Sequence, residues 1–242
     1  MQKVAESGKC ILKHYKGFDS IQAKESVWPN KLFNLQLSEN SIDQLLNNAE
    51  KLAKQGKIAP TLVCPADEVD EHLLSRIRKR GYGEGNWKAM TLVASNLRLS
   101  SEHPDIEIVE FTDFRELNKW HAIVEKELIK VSPLDIEILQ HLLNDTGCYF
   151  FSGKSVGETV TAAMLLVHEK EAGIYLVATQ AINQGKGFGS AITAKCVEKA
   201  VDLGVRKVHL QATRDGASIY KKLGFQDCGN IELFKLTERK GG

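Results

Sequence analysis

Between Gly185 and Gly189 every second residue is glycine, and this run constrains the fold more than any other stretch of the chain. It follows a segment in which Ile174, Leu176 and Ala178 alternate with Tyr175, Val177 and Thr179, the period of a strand. It precedes Ile192, Cys196, Ala200 and Leu203 at helical spacing, with Gly204 as the stop. A glycine-rich turn therefore carries the chain from a strand end into a helix N-terminus. There Gly185, Gly187 and Gly189 let the backbone approach a ligand closely, and the free N–H groups and positive dipole end of the helix favour a pyrophosphate. Glycine turns also occur merely as tight connections, so the surroundings must decide.

Two other phosphate-binding patterns fail on spacing. Gly147 to Gly153-Lys154-Ser155 mimics a P-loop, but five residues separate its glycines instead of four, and the strand-like run Thr159 to Val167 follows where a helix is required. A dinucleotide fold needs Gly-x-Gly-x-x-Gly, and Gly189 comes one residue early for it.

The run Gln184-Gly185-Lys186-Gly187-Phe188-Gly189 and the later Tyr220-Lys221-Lys222-Leu223-Gly224-Phe225 resemble the two signature motifs of the GNAT superfamily of N-acetyltransferases. The resemblance is good over about residues 105 to 238. It implies an α/β fold of the α+β kind, a mixed central sheet flanked by helices, with acetyl-CoA as co-substrate and no metal. In such enzymes Val177, Ala178 and Thr179 would bind the pantetheine arm through their backbone. Gln184, Gly185, Lys186, Gly187, Phe188, Gly189 and Ser190 would hold the pyrophosphate. Gln184 stands where arginine is the commoner choice, so a neutral contact replaces a charge-assisted one and cofactor affinity is expected to be lower.

The resemblance also places Tyr220 opposite the thioester sulfur. Making an amide from a thioester needs an uncharged amine, a donor for the oxyanion and a proton for the departing thiolate. A phenol, with an ordinary pKa of about 10, can supply that proton at neutral pH; the competing reading is that Tyr220 only packs. His121, Glu125 and Glu127 are the candidates for the base, on helices that border the acceptor cleft in this fold, and a solvated surface position is the alternative for each. Cys196 falls in the apolar stripe of its helix and reads as core. The resemblance implies a small-molecule or peptide amine as acceptor and leaves its identity open. The functional alternative is a non-catalytic acyl-CoA sensor that uses the first half of the chain for regulation or for contacts in a homodimer.

Composition narrows the rest. The chain has 242 residues, 43% of them hydrophobic and 26% charged, with a net charge of +1 and lysines scattered among acids. That mixture makes a globular core and offers no basic stripe for nucleic acid. Five widely spaced cysteines without a Cys-x-x-Cys pair suggest free thiols in a reducing compartment. No run approaches the roughly twenty apolar residues of a membrane span, and residues 1 to 14 do not read as a signal peptide. A soluble cytoplasmic protein is expected.

The polar segment Ser95 to Asp105 suggests a linker, giving a first domain over residues 1–98 and a catalytic one over residues 99–242. After it the pattern predicts strand, two helices, three strands, the helix from Gly189, a strand at Lys207 to Ala212, the helix Gly216 to Leu223 and a last strand from Glu232. In the first half a helix (Ser41 to Gln55), a strand (Pro60 to Cys64) and the pair Gly81-Tyr82 repeat the order that ends in Gly224-Phe225. There Gln36 to Asn40 replaces the glycine loop and Ile77 takes the place of Tyr220. The first domain thus resembles a degenerate GNAT domain without a cofactor motif.

Overall fold

The computed structural model describes residues 1–38, 41–130, 133–214 and 216–236. The first stretch of chain forms α1 (Gln2–Ala5), β1 (Cys10–Tyr15), β2 (Phe18–Ala23), β3 (Lys31–Phe33), α2 (Ile42–Lys54), β4 (Thr61–Pro65), α3 (Glu71–Lys79) and β5 (Tyr82–Val93). Then come β6 (Glu107–Phe111), α4 (Phe114–Val124), a π-turn over Glu125–Ile129, α5 (Ile136–Leu143), β7 (Cys148–Ser155), β8 (Glu158–His168) and β9 (Glu171–Thr179). The chain goes on through α6 (Phe188–Asp202), β10 (Lys207–Ala212), α7 (Ala217–Leu223) and β11 (Gln226–Leu236).

These elements divide into two compact units, Met1–Trp87 together with the chain from Gly229, and Lys88–Cys228. Strands β5 and β11 each have residues in both. The division expected after residue 98 differs from this partition on two points. The polar segment Ser95 to Asp105 lies inside the second unit, and the described chain from Gly229 belongs to the first.

In the first unit β1, β2 and β3 run antiparallel in sequence, β3 is parallel to β4, and β4 pairs antiparallel with β11 from Ile231↔Pro65 to Lys235↔Thr61. The hairpin of β1 and β2, absent from the sequence-based expectation, pairs Cys10 with Ala23 and Tyr15 with Phe18. Its core gathers Phe18, Leu32, Ile42, Leu46, Leu62 and Ile77, and Phe234 of β11 is fully buried among them.

In the second unit the strand order is β5-β10-β9-β8-β7-β6. β10 is antiparallel to β5 and parallel to β9, and the rest pair antiparallel. Helices cover both faces. Trp120 of α4 packs edge-on against Phe150, whereas the next residue, Phe151, joins Ile192, Cys196 and Val197 of α6 in the main core. Neighbouring strand residues point to opposite faces, so α4 and α6 lie on different sides. Small residues on α6 (Ala191, Ala194, Cys196, Ala200) let it sit close to the sheet.

Two helices stop where glycine permits it. Gly204, with φ of +70°, donates from its N–H to Val201 O, and Val205 N donates to Ala200 O, the paired bonds of a Schellman stop. Gly224 ends α7 with φ of +106°, and a Cβ there would meet Asn96 O at 2.9 Å. Phe225 N donates to Tyr220 O at 3.0 Å, and Leu223 and Phe225 are both buried. The Leu-Gly-Phe spacing is thus a helix stop that plants two apolar side chains in the core.

The order helix, strand, helix, strand occurs as α2-β4-α3-β5 and again as α6-β10-α7-β11. In each case the middle strand is parallel to the strand before its first helix. Its antiparallel partner is the strand that closes the other series, since β4 takes β11 and β10 takes β5.

Because Phe234 reaches the core of the first unit from the far end of the chain, Phe234→Ala is expected to destabilise that unit by about 3–5 kcal/mol. A chemical denaturation curve followed by circular dichroism would show it as an earlier unfolding transition. A fragment covering residues 1–98, which lacks β11, is expected to give no cooperative transition.

Candidate functional site

The site begins as a parting of two parallel strands. β9 and β10 are paired from Lys207↔Glu171 to Leu210↔Ile174, after which β9 runs on to Thr179 and β10 to Ala212 without further pairing to each other. On its other edge β9 pairs with β8 through Met164↔Tyr175 and Ala162↔Ala178. Two residues of β9, Leu176 and Val177, therefore face the single Ala163, which makes a β-bulge. Leu176 carries it with φ of +53°, a left-handed conformation costing a branched residue of this kind about 1–3 kcal/mol. The Ala163 carbonyl opposite the bulge accepts a hydrogen bond from Trp120 Nε1 at 3.2 Å.

Beyond the bulge the end of β9 is tied down. Thr161 Oγ1 donates to Ala178 O at 2.8 Å and lies 2.8 Å from Thr179 Oγ1. Gln180 binds β8 twice, N to Val160 O at 2.9 Å and Nε2 to Thr159 O at 3.0 Å. A short 3-10 turn over Ala181–Asn183 then leads to the glycines. Gly185 and Gly187 have φ of +79° and +89°, conformations that disfavour a side chain. Gly187 is the N-cap of α6, where no side chain caps the helix and the first turn holds no acid. The leading N–H groups of α6 thus meet no competing carboxylate, which suits an anion.

The loop's side chains serve its shape. Gln184 Nε2 donates to Thr179 O at 3.1 Å, and Lys186 Nζ donates to Asn183 Oδ1 at 2.8 Å. Phe188 is buried with Ile106, Val160 and Ala191, so only its backbone is available to a ligand. A Cβ on Gly189 would lie 3.6 Å from Thr179 Oγ1, whereas one on Gly185 would meet nothing within 4 Å. Ser190 is half-buried in the first turn of α6. Val177 and Thr179 are half-buried and Ala178 is buried on the end of β9 that β10 no longer pairs.

Tyr220 stands on α7, the helix after β10, half-buried against the main core with its ring 6.0 Å from Phe225. Burial, with Cys196 nearby, pushes its phenol up to about 12, so it keeps its proton through the neutral range. Cys196 lies at the centre of the core, where burial likewise pushes its thiol up. None of the five cysteines, all among the described residues, is in a disulfide.

The three residues considered for a base separate clearly. His121 Nε2 donates to Leu134 O at 2.6 Å and Glu125 Oε1 accepts from Leu134 N at 3.0 Å, so this pair clamps the chain ahead of α5. Glu127, on the π-turn, lines a cavity of about 250 Å³ with Lys119, Lys126, Glu158, Thr159 and Gln180. π-turns concentrate at functional sites, and this one sets Lys126 and Glu127 on the cavity wall.

Beside that cavity lies a buried carboxylate that sequence reasoning missed. Glu116 accepts from Thr159 Oγ1 at 2.7 Å and faces the ammonium groups of Lys154 at 3.4 Å and Lys119 at 3.7 Å. Burial raises its pKa, and the Thr159 hydrogen bond and the Lys154 charge outweigh that and hold it below the ordinary 4.5. The only sequence signal was an acid at an inward position of an amphipathic helix.

Among the described residues no cluster of three or more His, Cys, Asp or Glu could hold a metal, and no helix is long and apolar enough to cross a membrane. Residues 129–235 match the family model described as "Acetyltransferase (GNAT) domain". No curated protein sequence is significantly similar to the chain. Among solved structures, a GCN5-related N-acetyltransferase from Kribbella flavida is similar with a TM-score of 0.74 at 14% identity, covering 100% of this chain and 93% of that one. A GCN5-related N-acetyltransferase from Sphaerobacter thermophilus gives a TM-score of 0.67 at 15% identity over 92% of this chain and 81% of that one. The structure described as a putative acetyltransferase of the GNAT family from Novosphingobium aromaticivorans gives 0.59 at 13%, over 97% and 94%. At these identities the likeness establishes the fold.

A carboxyl whose folded pKa is depressed contributes stability above its unfolded pKa and loses it as the pH falls through the folded one. Glu116→Gln is therefore expected to be less stable than the parent near neutral pH, and the deficit to shrink below about pH 4.5. Thermal melts of both proteins between pH 3 and pH 8 would check this.

Proposed function

Starting from residues 129–235 as a GNAT acetyltransferase domain, we propose that the chain is an N-acetyltransferase that moves an acetyl group from acetyl-CoA to a primary amine, using the second unit alone. The observation that carries this is the uncapped glycine N-terminus of α6 that follows the end of β9, where the edge toward β10 is no longer paired. A free strand edge can pair with the amide-bearing pantetheine arm, and the glycine loop beyond it can take the pyrophosphate. In this reading Val177, Ala178 and Thr179 offer backbone groups to the arm. Gly185, Lys186, Gly187, Phe188, Gly189 and Ser190 offer N–H groups to the phosphates, with Gln184 bracing the loop from Thr179 O.

Bound acetyl-CoA supplies the activated carbonyl and a thiol leaving group. The chain's part is to hold the amine against that carbonyl, polarise its oxygen and return a proton to sulfur. We assign the last step to the Tyr220 Oη hydrogen. Its raised pKa keeps that proton in place, though a phenol near 12 is a weaker acid than an ordinary thiol near 8.5. Tyr220 therefore acts as a hydrogen-bond donor to the departing sulfur, and the proton that nitrogen loses as the amide forms balances the one that sulfur gains. The cavity bearing Glu127 and Glu158 is lined equally by Lys119 and Lys126, so its charges balance and the choice of acceptor is not written in them.

In the first unit, Ile77 sits four residues before Gly81 as Tyr220 sits before Gly224, but it is fully buried. The repeated order of helices and strands supports reading this unit as a duplicated GNAT half without a cofactor loop. One acetyl-CoA per chain is accordingly expected by calorimetry, and two equivalent sites would contradict the reading. Free-thiol release with at least one member of an amine panel would separate an enzyme from a sensor that only binds.

Two substitutions test the roles. Gly187→Val, which places a branched residue at φ of +89°, should weaken acetyl-CoA binding while the circular dichroism spectrum stays unchanged. Tyr220→Phe should lower turnover by roughly 10²- to 10⁴-fold with acetyl-CoA affinity nearly intact. Equal losses in both would make Tyr220 a binding residue.

A further inference from the structure

One side chain from outside the glycine loop is fixed against it. His103, ahead of β6, lies so close to Gly187 that a Cβ there would meet His103 Nε2 at 3.3 Å. Its position is held from three sides. The ring sits edge-on to Phe188, with centroids 5.3 Å apart and planes at 87°, and Phe188 is itself locked in a small core with Ile106, Val160 and Ala191. The His103 backbone bridges to Ile106, whose N–H donates to His103 O at 3.4 Å. The Asp105 N–H donates to His103 Nδ1 at 3.2 Å.

That last bond decides the tautomer. A backbone N–H can only donate, so Nδ1 is the accepting nitrogen and Nε2 carries the hydrogen of the neutral ring. The Nε2–H therefore faces the N-cap of α6. The loop's own side chains are bonded to loop atoms, Gln184 to Thr179 O and Lys186 to Asn183 Oδ1. Gly187 has no side chain and leaves room beside the imidazole.

We propose that His103 is a pyrophosphate-binding residue, its Nε2–H donating to a phosphate oxygen held at the start of α6. The proposal rests on the acetyl-CoA reading above and adds to it a residue from a segment that the sequence pattern presents as a linker. His103 thus adds a side-chain donor from outside a loop whose own Gln184 and Lys186 are bonded locally. A single hydrogen bond to a charged oxygen corresponds to roughly 10- to 100-fold in affinity.

The test is calorimetric titration of CoA and of 3′-dephospho-CoA into the full chain and two variants. His103→Phe keeps a ring against Phe188 and removes the donor, whereas His103→Gln retains an N–H at a similar reach. The expected result is a loss of roughly 10- to 100-fold for both ligands in His103→Phe, with most of the affinity kept in His103→Gln and equal melting temperatures in all three. Loss for CoA alone would assign the contact to the 3′-phosphate and overturn the proposal. Equal binding by the parent and His103→Phe would also overturn it while leaving the acetyl-CoA site standing. Equal losses in both variants would mean that the histidine only shapes the loop. A parent chain that binds neither ligand would remove the acetyl-CoA reading, and this inference with it.

Discussion

The bulge at Leu176 is the constraint on which the candidate site depends. A bulge adds a residue to one strand and increases its local twist. Below it β9 pairs with β10; above it the pairing is gone, and the free edge leads straight to the glycine loop. A leucine held at φ of +53° persists only because its surroundings insist on it. Leu176 is buried, and the carbonyl opposite is taken up by the indole of Trp120, a residue fully enclosed beside Phe150. The helix on one face of the sheet thereby supports the irregularity that opens the strands.

This explains which parts of the molecule were legible beforehand. Features decided within a few residues could be read directly. Gly204 and Gly224 stop helices because only glycine tolerates their backbone angles, and the glycines after β9 mark a turn for the same reason. The bulge could not be read, because Leu176 fits the alternation of an ordinary strand and its conformation is set by Ala163 and Trp120 from elsewhere in the chain. Nor could the partners of β5 and β11. A strand's sequence states which face is apolar, and it does not say which edge the strand will join. The boundary expected at residue 98 differs from the partition into compact units for that reason, since a polar stretch such as Ser95 to Asp105 looks the same whether it separates two units or crosses one.

The site shows the same division. The glycine loop and Tyr220 lie on patterned segments and could be singled out as candidates from the sequence. His103 and Glu116 could not, because their importance comes from what packs beside them. His103 matters through Gly187 and Phe188, eighty-odd residues away, and Glu116 through Thr159 and Lys154. His121 and Glu125 illustrate the converse. They were candidates for their place on helices that border the acceptor cleft in the resembling fold, and what the structure shows them bonded to is the backbone of Leu134.

The crossing of the two closing strands also fixes an order in time. The second unit uses Lys88–Val93, made before the rest of it, and has all its strands once Cys228 has left the ribosome. The first unit waits for Ile231 to Lys235, which pair with β4, and for Phe234, which fills its core. The portion synthesised first is therefore completed last, the reverse of the usual N-terminal-first sequence. Until then the antiparallel edge of β4 stands open on the nascent chain, a surface that chaperones recognise and that other strands can join.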